Sequence, residues 1–421
     1  MEKEGASHSS ESSALLLSNG VAAHHKSIQE PDATELGVDK LPTPHHHEER
    51  KVTRLEMWID ALASIVVTLT ILPLMEILNA PKEERILTIA FLLFSVVLGF
   101  SFMSLVMTNT YLAFNWFGDH HATDPVLYAL GLLFLASLSL FAFAVQSLLE
   151  AYIDSSAVYF FGGTFIAIYA SCFLLFLYCL RATDIRQKVA RESAVNYEIA
   201  FFVCTIATLA VMMIVSTFVS SDYQSYVMYG VLAALLLTHR ATRTEANFTA
   251  LLPGGFPKER IDVFTDGVYA VAVTLFLIEI RYPAGVDARE AIALAFLKEE
   301  WRAVAGHFVS FAVLGVHWCL QNFIAAHIER VSRTMYDLTM IHCAAAALFP
   351  FTMKLALLCE NPGWEVVAPL VVYFNLSLSQ LGLWLRTRGT ISDKLASWLT
   401  GGLISITVVL YVSYELFTAL H

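Results

Sequence analysis

Two charged residues, an arginine and an aspartate six positions apart, open an apolar stretch at two places in the chain. The stretches read RLEMWIDALASIVVTLTILPL from Arg54 and RIDVFTDGVYAVAVTLFLIEI from Arg260, so the aspartates are Asp60 and Asp266. Six residues rotate a helix by about 240°, so the two charges of one copy point in different directions. Because unpaired charge near hydrocarbon is expensive, each charge requires a partner on another helix. The spacing therefore predicts a doubled ion-pairing motif that fixes the rotation of its helix.

Candidate partners for these charges lie in the second half of the chain. They are His317, Asp337 and His342, and Asp337 is expected to pair with Arg260. The alternative is that Arg54 and Arg260 only extend toward the polar interface of a membrane, as long basic side chains do. The repetition of both charges favours the pairing.

Each motif is followed by a narrow apolar stripe bordered by hydroxyl side chains. The stripe residues recur at helical spacing and are Ile65, Leu69 and Leu72 in the first copy and Val271, Leu275 and Ile278 in the second. The bordering residues are Ser64, Thr68 and Thr274. Such a stripe can form the constriction of a pore, where hydroxyls replace part of the water shell of an ion. Hydroxyl residues also let membrane helices pack closely, so the pattern alone leaves both interpretations open and favours packing.

The composition places these helices in a membrane. The chain has 421 residues, of which 57% are hydrophobic and 15% charged, and this is more apolar surface than a soluble domain can bury. We therefore expect an all-α integral membrane protein. Apolar runs long enough to cross a hydrocarbon core of about 30 Å lie at 55–77, 86–108, 126–149, 157–180, 197–219, 224–239, 261–281, 302–325, 335–358, 365–385 and 396–419.

The doubled motif divides the chain into two repeats of about six transmembrane helices each. Six spans return the chain to the same side of the membrane, so the repeats are expected to be parallel in orientation. The second repeat shows five apolar runs, and a sixth span there stays open. The predicted segments are a disordered tail at 1–49, a first repeat at 50–239, a cytosolic linker at 240–259 and a second repeat at 260–421.

The basic residues favour a cytosolic N-terminus. Loops on the side of the N-terminus, such as RATDIRQKVARES and RTRGTISDK, hold most of the loop Lys and Arg, whereas SSDYQ on the other side holds none. In the tail, ESSALL (Glu11 to Leu16) fits an acidic-dileucine pattern that sorting adaptors of endosomes and lysosomes read. A chance match is the equally weighted alternative.

Other functional classes find less support. The sequence has no phosphate-binding loop or nucleophile elbow, so we expect no enzymatic activity and no cofactor. It has no basic patch suited to nucleic acid. A secondary ion-coupled transporter is the main alternative, although the first helices lack the midspan breaks typical of such transporters. Four histidines in apolar runs lack metal-ligand spacing, and structural hydrogen bonding is favoured for them over a proton relay or a metal site: His307, His317, His327 and His342.

The two motifs resemble the RxxxFSD signature of the transmembrane protein 175 family, the potassium channels of endosomes and lysosomes. The matching residues are Arg260, Phe264, Thr265 and Asp266 in the second copy and Arg54, Trp58 and Asp60 in the more divergent first copy. The stretch LFPFTMKLA also resembles the third helix of a family repeat. The resemblance covers nearly all of residues 50–421, and only the two first helices are specific.

The resemblance implies a potassium-selective leak channel of the endosome and lysosome membrane, with proton permeability as a second activity. It implies an architecture without the usual potassium-channel filter, and the chain has no TVGYG stretch. Two chains, as a homodimer, would place four first helices around one axis. Carried over by position, the constriction would be Ile65 and Val271. The pore lining would be Ser64, Thr68, Leu69, Leu72, Thr274, Leu275 and Ile278.

Overall fold

The described part of the chain is almost entirely helical. All of its ranges fall within the compact unit Arg50–His421, and their one isolated β-bridge joins Phe256 to Val331. The tail with its sorting motif and the predicted span 396–419 lie outside the described residues. The computed structural model describes residues 54–73, 82–117, 124–150, 155–182, 192–219, 221–242, 252, 255–278, 292–328, 330–358 and 364–388.

The helices follow the apolar runs of the sequence. The first half holds α1 (Arg54–Leu69), α2 (Lys82–Phe117), α3 (Pro125–Ser139), α4 (Phe141–Glu150), α5 (Ser155–Ala182), α6 (Glu192–Ser216) and α7 (Ser221–Thr242). The second half holds α8 (Lys258–Ile278), α9 (Ile292–Ala326), α10 (Arg333–Leu358) and α11 (Trp364–Thr387). Each predicted span up to residue 385 coincides with one of these helices or, at 126–149, with two.

Six stretches within the described residues are long and apolar enough to cross a membrane. The prediction of an all-α integral membrane protein is thereby confirmed. The stretches are Val96–Asn115, Pro125–Ser147, Ser156–Arg181, Val195–Ser216, Val304–Ala326 and Arg333–Ala356.

The third predicted span is divided at Leu140, between α3 and α4. Asp124 caps α3, since its carboxylate accepts hydrogen bonds from the N–H groups of Val126 (2.9 Å) and Leu127 (3.4 Å). At the break, the N–H of Leu140 donates to the carbonyl of Ser137 at 3.3 Å, a tight turn that interrupts the regular helix. Neither proline nor glycine marks position 140, so the sequence shows no sign of this break.

The helices of the two halves pack in matching pairs. In the first half, α1 contacts α2 and α3, and α5 packs on the same two helices. In the second half, α8 contacts α9 and α10, and α11 packs on those two. The starts of α3 and α10 are 208 positions apart (125 and 333), close to the motif offset of 206 (54 and 260). These correspondences support the hypothesis of two repeats.

The two halves meet along α1 with α8 and along α2 with α10. Tyr336 of α10 donates its hydroxyl to the carbonyl of Ser104 on α2 at 3.0 Å. Before α8, Gly255 has a φ of 76°, and a Cβ at this position would lie 2.7 Å from the carbonyl oxygen of Val331. A glycine is therefore required where the chain enters α8.

Candidate functional site

The contact between α1 and α8 is built around a buried arginine. Arg260 donates from Nε to Asp60 Oδ2 at 2.8 Å and from Nη2 to Asp60 Oδ1 at 2.7 Å. Its third nitrogen, Nη1, lies 3.4 Å from Glu56 Oε2. The side chains of Arg260 and Asp60 are 0% exposed. The planar guanidinium thus grips one carboxylate with two parallel bonds and faces a second, the geometry for which arginine is suited.

Aromatic rings complete the surroundings of this guanidinium. Its Cζ lies 4.2 Å from the ring centroid of Tyr111 and 5.4 Å from that of Phe114, both on α2. A cation held over aromatic faces is stabilised by the ring quadrupoles, most effectively away from water. Arg260 therefore joins three helices, α1, α2 and α8.

Local sequence explains why both carboxylates reach Arg260. Glu56 and Asp60 are four residues apart on α1, so their side chains stand on one face of that helix. A buried arginine between two carboxylates allows one rotation of α1 against α8, because another rotation would leave charge unpaired in an apolar interior. The predicted role of the motif, fixing helix rotation, is consistent with this geometry.

The second pair of motif charges is arranged differently. Asp266 is exposed, and its Oδ1 accepts a hydrogen bond of 2.7 Å from Nε1 of Trp318 on α9. Arg54 is also exposed and has no acidic partner among the described residues. Among the described residues, the doubled motif thus forms one ion pair between its own charges, that of Arg260 with Asp60.

The residues between the charges differ in the same way. Phe264 is fully buried and Thr265 is buried, where its hydroxyl oxygen lies 3.8 Å from the sulfur of Cys343 on α10. Trp58, the counterpart of Phe264, is 55% exposed. The side of α8 that carries Phe264 and Thr265 therefore packs against protein, whereas Trp58 on the equivalent side of α1 is exposed.

His317, one of the candidate partners predicted for the motif charges, contributes to a different contact. Nδ1 of His317 donates to Gln380 Oε1 at 2.7 Å, and Gln380 donates back to the His317 carbonyl at 2.6 Å. Asp337 is half-buried on α10, next to Tyr336. The structure gives Arg260 carboxylate partners from the first half instead, because α8 packs directly on α1.

His342 belongs to a hydrogen-bonded chain inside the second half. The Ser379 hydroxyl donates to the Leu376 carbonyl at 2.9 Å, so it accepts from Nδ1–H of His342, also at 2.9 Å. Nε2 of His342 then accepts from the hydroxyl of Tyr269 on α8 at 2.5 Å. His342 therefore has hydrogen-bond partners on two helices, the structural role favoured from the sequence.

The two candidate constriction residues lie on the surface of the chain. Ile65 is 39% exposed and Val271 is partly exposed. Leu69 and Leu72 are partly exposed and Thr274 is exposed. The side chains at these five positions of α1 and α8 therefore remain accessible at the surface of the chain.

Three other candidate lining residues are buried within the chain. The hydroxyl of Ser64 donates to the Ala61 carbonyl at 2.7 Å, and that of Thr68 donates to the Ser64 carbonyl at 2.6 Å. Ser64 lies against Gly267, where a Cβ would collide with the Ser64 hydroxyl oxygen. Leu275 is 1% exposed. Within one chain these residues serve helix packing, and the side chain of Ile278 lies outside the described residues.

No group of three or more His, Cys, Asp or Glu side chains that could hold a metal ion occurs in the part of the chain that the structure describes. His327 donates from Nδ1 to the Phe323 carbonyl at 2.8 Å, and His307 lies half-buried on α9.

Sequence reasoning missed Glu56, Tyr111 and Trp318. Glu56 had a signal, since it stands one turn before Asp60 and aligns with Asp262 after 206 positions. Tyr111 and Trp318 had no such signal. They lie on α2 and α9, and the sequence alone does not reveal how these helices are rotated against α1 and α8.

Comparison with known proteins points to one family. Residues 260–350 match the family model described as "Endosomal/lysosomal potassium channel TMEM175". The chain is 30% identical over 129 residues to "Potassium channel B446_29190" of Streptomyces collinus, which covers 30% of this chain and 62% of that protein. It is 27% identical over 137 residues to the human "Endosomal/lysosomal proton channel TMEM175", which covers 30% of this chain and 27% of the human protein.

The bovine protein of the same name is 27% identical over 147 residues, 32% of this chain and 31% of the bovine one. The chain thus spans less than two thirds of the length of these relatives. The family match begins at Arg260, the arginine that joins α8 to α1. The chain is thus similar to the TMEM175 family over part of its length.

Proposed function

We propose that two copies of this chain form an ion channel of the endosome and lysosome membrane that passes potassium down its gradient. Protons are the second permeant ion of the proposal, because relatives are named as potassium channels and as endosomal/lysosomal proton channels. The observation that carries the proposal is the family match over residues 260–350. The proposal assigns no catalysis to the chain.

The constriction is formed by Ile65 and Val271. Both side chains lie on first helices and are left accessible by the packing of the chain itself. Two copies supply four such side chains around one axis. A narrow apolar ring holds a pore closed by excluding water, and ions pass when it widens or becomes wet.

Leu69, Leu72 and Thr274 extend the pore lining beyond the constriction toward the C-terminal ends of α1 and α8, as their accessible positions suggest. Ser64 sets the distance between α1 and α8, since it lies against Gly267, and Thr68 is buried one turn further along α1. The Arg260–Asp60 pair holds the two helices in one rotation and so aims Ile65 and Val271 at the same space.

Recordings from membranes that express the full chain test this proposal. Under bi-ionic potassium and sodium, we expect a potassium-favouring leak. Polar substitution at the constriction should let water enter, so Ile65→Asn and Val271→Asn should enlarge the current and move the reversal potential toward zero. Val211→Asn is the matched control, because Val211 is exposed on α6 and should leave both quantities unchanged.

Two outcomes would contradict the proposal in different ways. Saturable flux coupled to a second substrate, without a leak, would indicate the secondary transporter instead. Wild-type current and selectivity in both asparagine variants would retain a channel but remove Ile65 and Val271 from its constriction.

A further inference from the structure

The C-terminal ends of α9 and α11 meet in a group of aromatic rings that an arginine covers. The centroid of the Trp384 ring lies 5.7 Å from that of Phe323 and 5.6 Å from that of His327. His327 donates from Nδ1 to the Phe323 carbonyl at 2.8 Å, which fixes its ring beside Trp384. Cζ of Arg388 lies 4.5 Å from the Trp384 centroid. We call these four residues, together with Arg330, the α9–α11 corner.

The last turn of α11 sets the position of Arg388. The Thr387 hydroxyl donates to the Trp384 carbonyl at 2.6 Å, and the N–H of Arg388 donates to the same carbonyl at 3.2 Å. Arg388 thus follows Trp384 by one turn, and residues four apart share one face of a helix. Because the guanidinium lies over the ring, its flat face contacts Trp384. The N–H groups at its edge can still donate to an oxygen ligand.

Arg330 lies in the short connection between α9 and α10, next to a fixed piece of backbone. The N–H of Phe256 donates to the carbonyl of Val331 at 3.0 Å, and Val331 is buried. Arg330 itself is exposed, as is Arg388, and neither has an acidic partner among the described residues. Both arginines are therefore held near the surface with donors to spare, and a ligand would need to order little of the chain.

The α9–α11 corner lies where α9 leaves the apolar part of the membrane. The span Val304–Ala326 ends directly before His327. Within this span α9 exposes Val316, Leu320 and Phe323, which recur at helical spacing and therefore point to one side. Tryptophan and arginine next to the end of a span are typical of the boundary between acyl chains and headgroups. A ligand bound here would meet apolar side chains at one end and cations at the other.

The charge of this region is positive. The segments 327–333 and 384–388 contain one acidic residue, Glu329, which lies outside the described residues, and four arginines, Arg330, Arg333, Arg386 and Arg388. With the predicted orientation, these segments face the cytosol, where membrane leaflets carry anionic lipids. Charge therefore favours an anionic ligand.

The equivalent place in the first half of the chain has a carboxylate instead. There the side chain of Asp124 caps α3 and also accepts a hydrogen bond of 2.6 Å from the Tyr178 hydroxyl. The residue 208 positions later (124 and 332) is Ser332, whose neutral hydroxyl accepts a bond of 3.3 Å at the start of α10. Arg181 is the counterpart of Arg388, 207 positions earlier (181 and 388). The second half keeps the arginine and lacks the acidic cap.

We propose that the α9–α11 corner binds the headgroup of an anionic phospholipid. Arg388 and Arg330 donate to its phosphate oxygens, which paired N–H groups of a guanidinium fit well. An acyl chain lies along the exposed apolar residues of α9. The occupant is a lipid because cations and exposed apolar side chains adjoin here, whereas a free phosphate compound would use the cations alone. The proposal requires the membrane-embedded fold and does not depend on ion conduction.

Native mass spectrometry of the full chain in non-ionic detergent measures this binding. The probes are dioctanoyl phosphatidylinositol phosphate, dioctanoyl phosphatidylcholine and soluble inositol bisphosphate, which is the headgroup of the first lipid without its acyl chains. We expect the anionic lipid to bind about tenfold more tightly than either of the other two, since it alone offers both negative charge and apolar chains.

Substitutions identify the residues that bind the headgroup. Arg388→Gln and Arg330→Gln should each weaken binding of the anionic lipid about fivefold, and together about 25-fold, because each arginine near the membrane surface contributes separately. Arg388→Lys should weaken it less, since the charge is kept. Ser332→Asp should weaken it as well, because it introduces the carboxylate that the first half has. Arg181→Gln is the matched control and should leave binding unchanged, as Arg181 is exposed at the end of α5.

Thermal unfolding without lipid shows whether each variant is folded. The proposal is overturned if Arg181→Gln weakens binding as much as Arg388→Gln, because the attraction would then be general to the basic side of the protein. Equal binding of phosphatidylcholine would overturn the requirement for negative charge. Equally tight binding of inositol bisphosphate would overturn the lipid as the ligand and indicate a soluble phosphate compound.

Discussion

Arg260 illustrates how a single buried charge organises a contact between helices. Bringing a guanidinium and two carboxylates out of water costs several kcal/mol per ion, so the ion pair by itself contributes little net stability. Its effect lies in specificity, because removal of one partner leaves charge buried without compensation. Arg260, Asp60 and Glu56 therefore act as one unit, and the loss of stability is expected when one of the three side chains is substituted without the others.

Arg260→Met should lower the free energy of unfolding by about 3–5 kcal/mol, because Asp60 and Glu56 would stay buried without a cation. Arg260→Lys should cost less, since it keeps the charge and loses the two parallel bonds. Thermal unfolding in detergent measures both. Arg330→Met is the control and should change little, as Arg330 is exposed. Equal effects of Arg260→Met and Arg330→Met would contradict the role of the pair.

At the scale of elements, α1 and α8 approach closely because Gly267 has no side chain. Ser64 occupies the space that a Cβ at Gly267 would need, and the Ser64 Cβ would lie 2.9 Å from that added atom. Close approach through small residues is how membrane helices gain packing energy. The distance between the two first helices, and with it the placement of Ile65 and Val271, depends on this pair.

Gly267→Ala should separate α1 from α8 and destabilise the protein by about 1–3 kcal/mol, the usual cost of overpacking. Ser64→Gly introduced together with Gly267→Ala should recover part of this loss, because it frees the space that the new methyl group requires. Gly163→Ala on α5 is the control, since nothing lies within 4 Å of its added Cβ. Thermal unfolding that shows no difference between Gly267→Ala and Gly163→Ala would refute the close contact.

At the scale of the whole molecule, the helical body and the tail have separate proposed tasks. The body proposed to conduct ions is held by contacts between distant parts of the chain, such as the pair Asp60–Arg260, whose residues are 200 positions apart. The tail carries ESSALL, a short pattern that a sorting adaptor can read in an extended segment without any folded structure. Conduction and location should therefore be separable by substitution.

Leu15→Ala together with Leu16→Ala should move the protein from endosomes and lysosomes to the cell surface, because the leucine pair of the sorting pattern would be lost. Surface biotinylation and imaging of the full-length chain measure this shift, and currents at the cell surface should then match those of the wild type. Ser12→Ala with Ser13→Ala, which keeps the glutamate and the leucine pair of ESSALL and changes only the serines between them, is the control. An unchanged distribution of the leucine variant would show that ESSALL is a chance match.

Much of the fold could be predicted because helix formation in a membrane depends on local composition. Helices form at the apolar runs, as expected, whereas the break at Leu140 has no sequence signal. Of the site, the sequence indicated that Arg260 and Asp60 both need partners on other helices. It did not indicate that they are each other's partners.

The sequence by itself determined the membrane-embedded helical class, the positions of the described helices and the duplication of the motif, since each follows from composition or spacing along one segment. Only the tertiary structure decided which copy of the motif is filled. Glu56, Asp60, Ser64 and Thr68 are buried while their counterparts on α8 are accessible, although the two sets have nearly the same spacing and chemistry. The difference arises because one face of α1 meets α8 within the chain, and burial depends on that contact rather than on residue type.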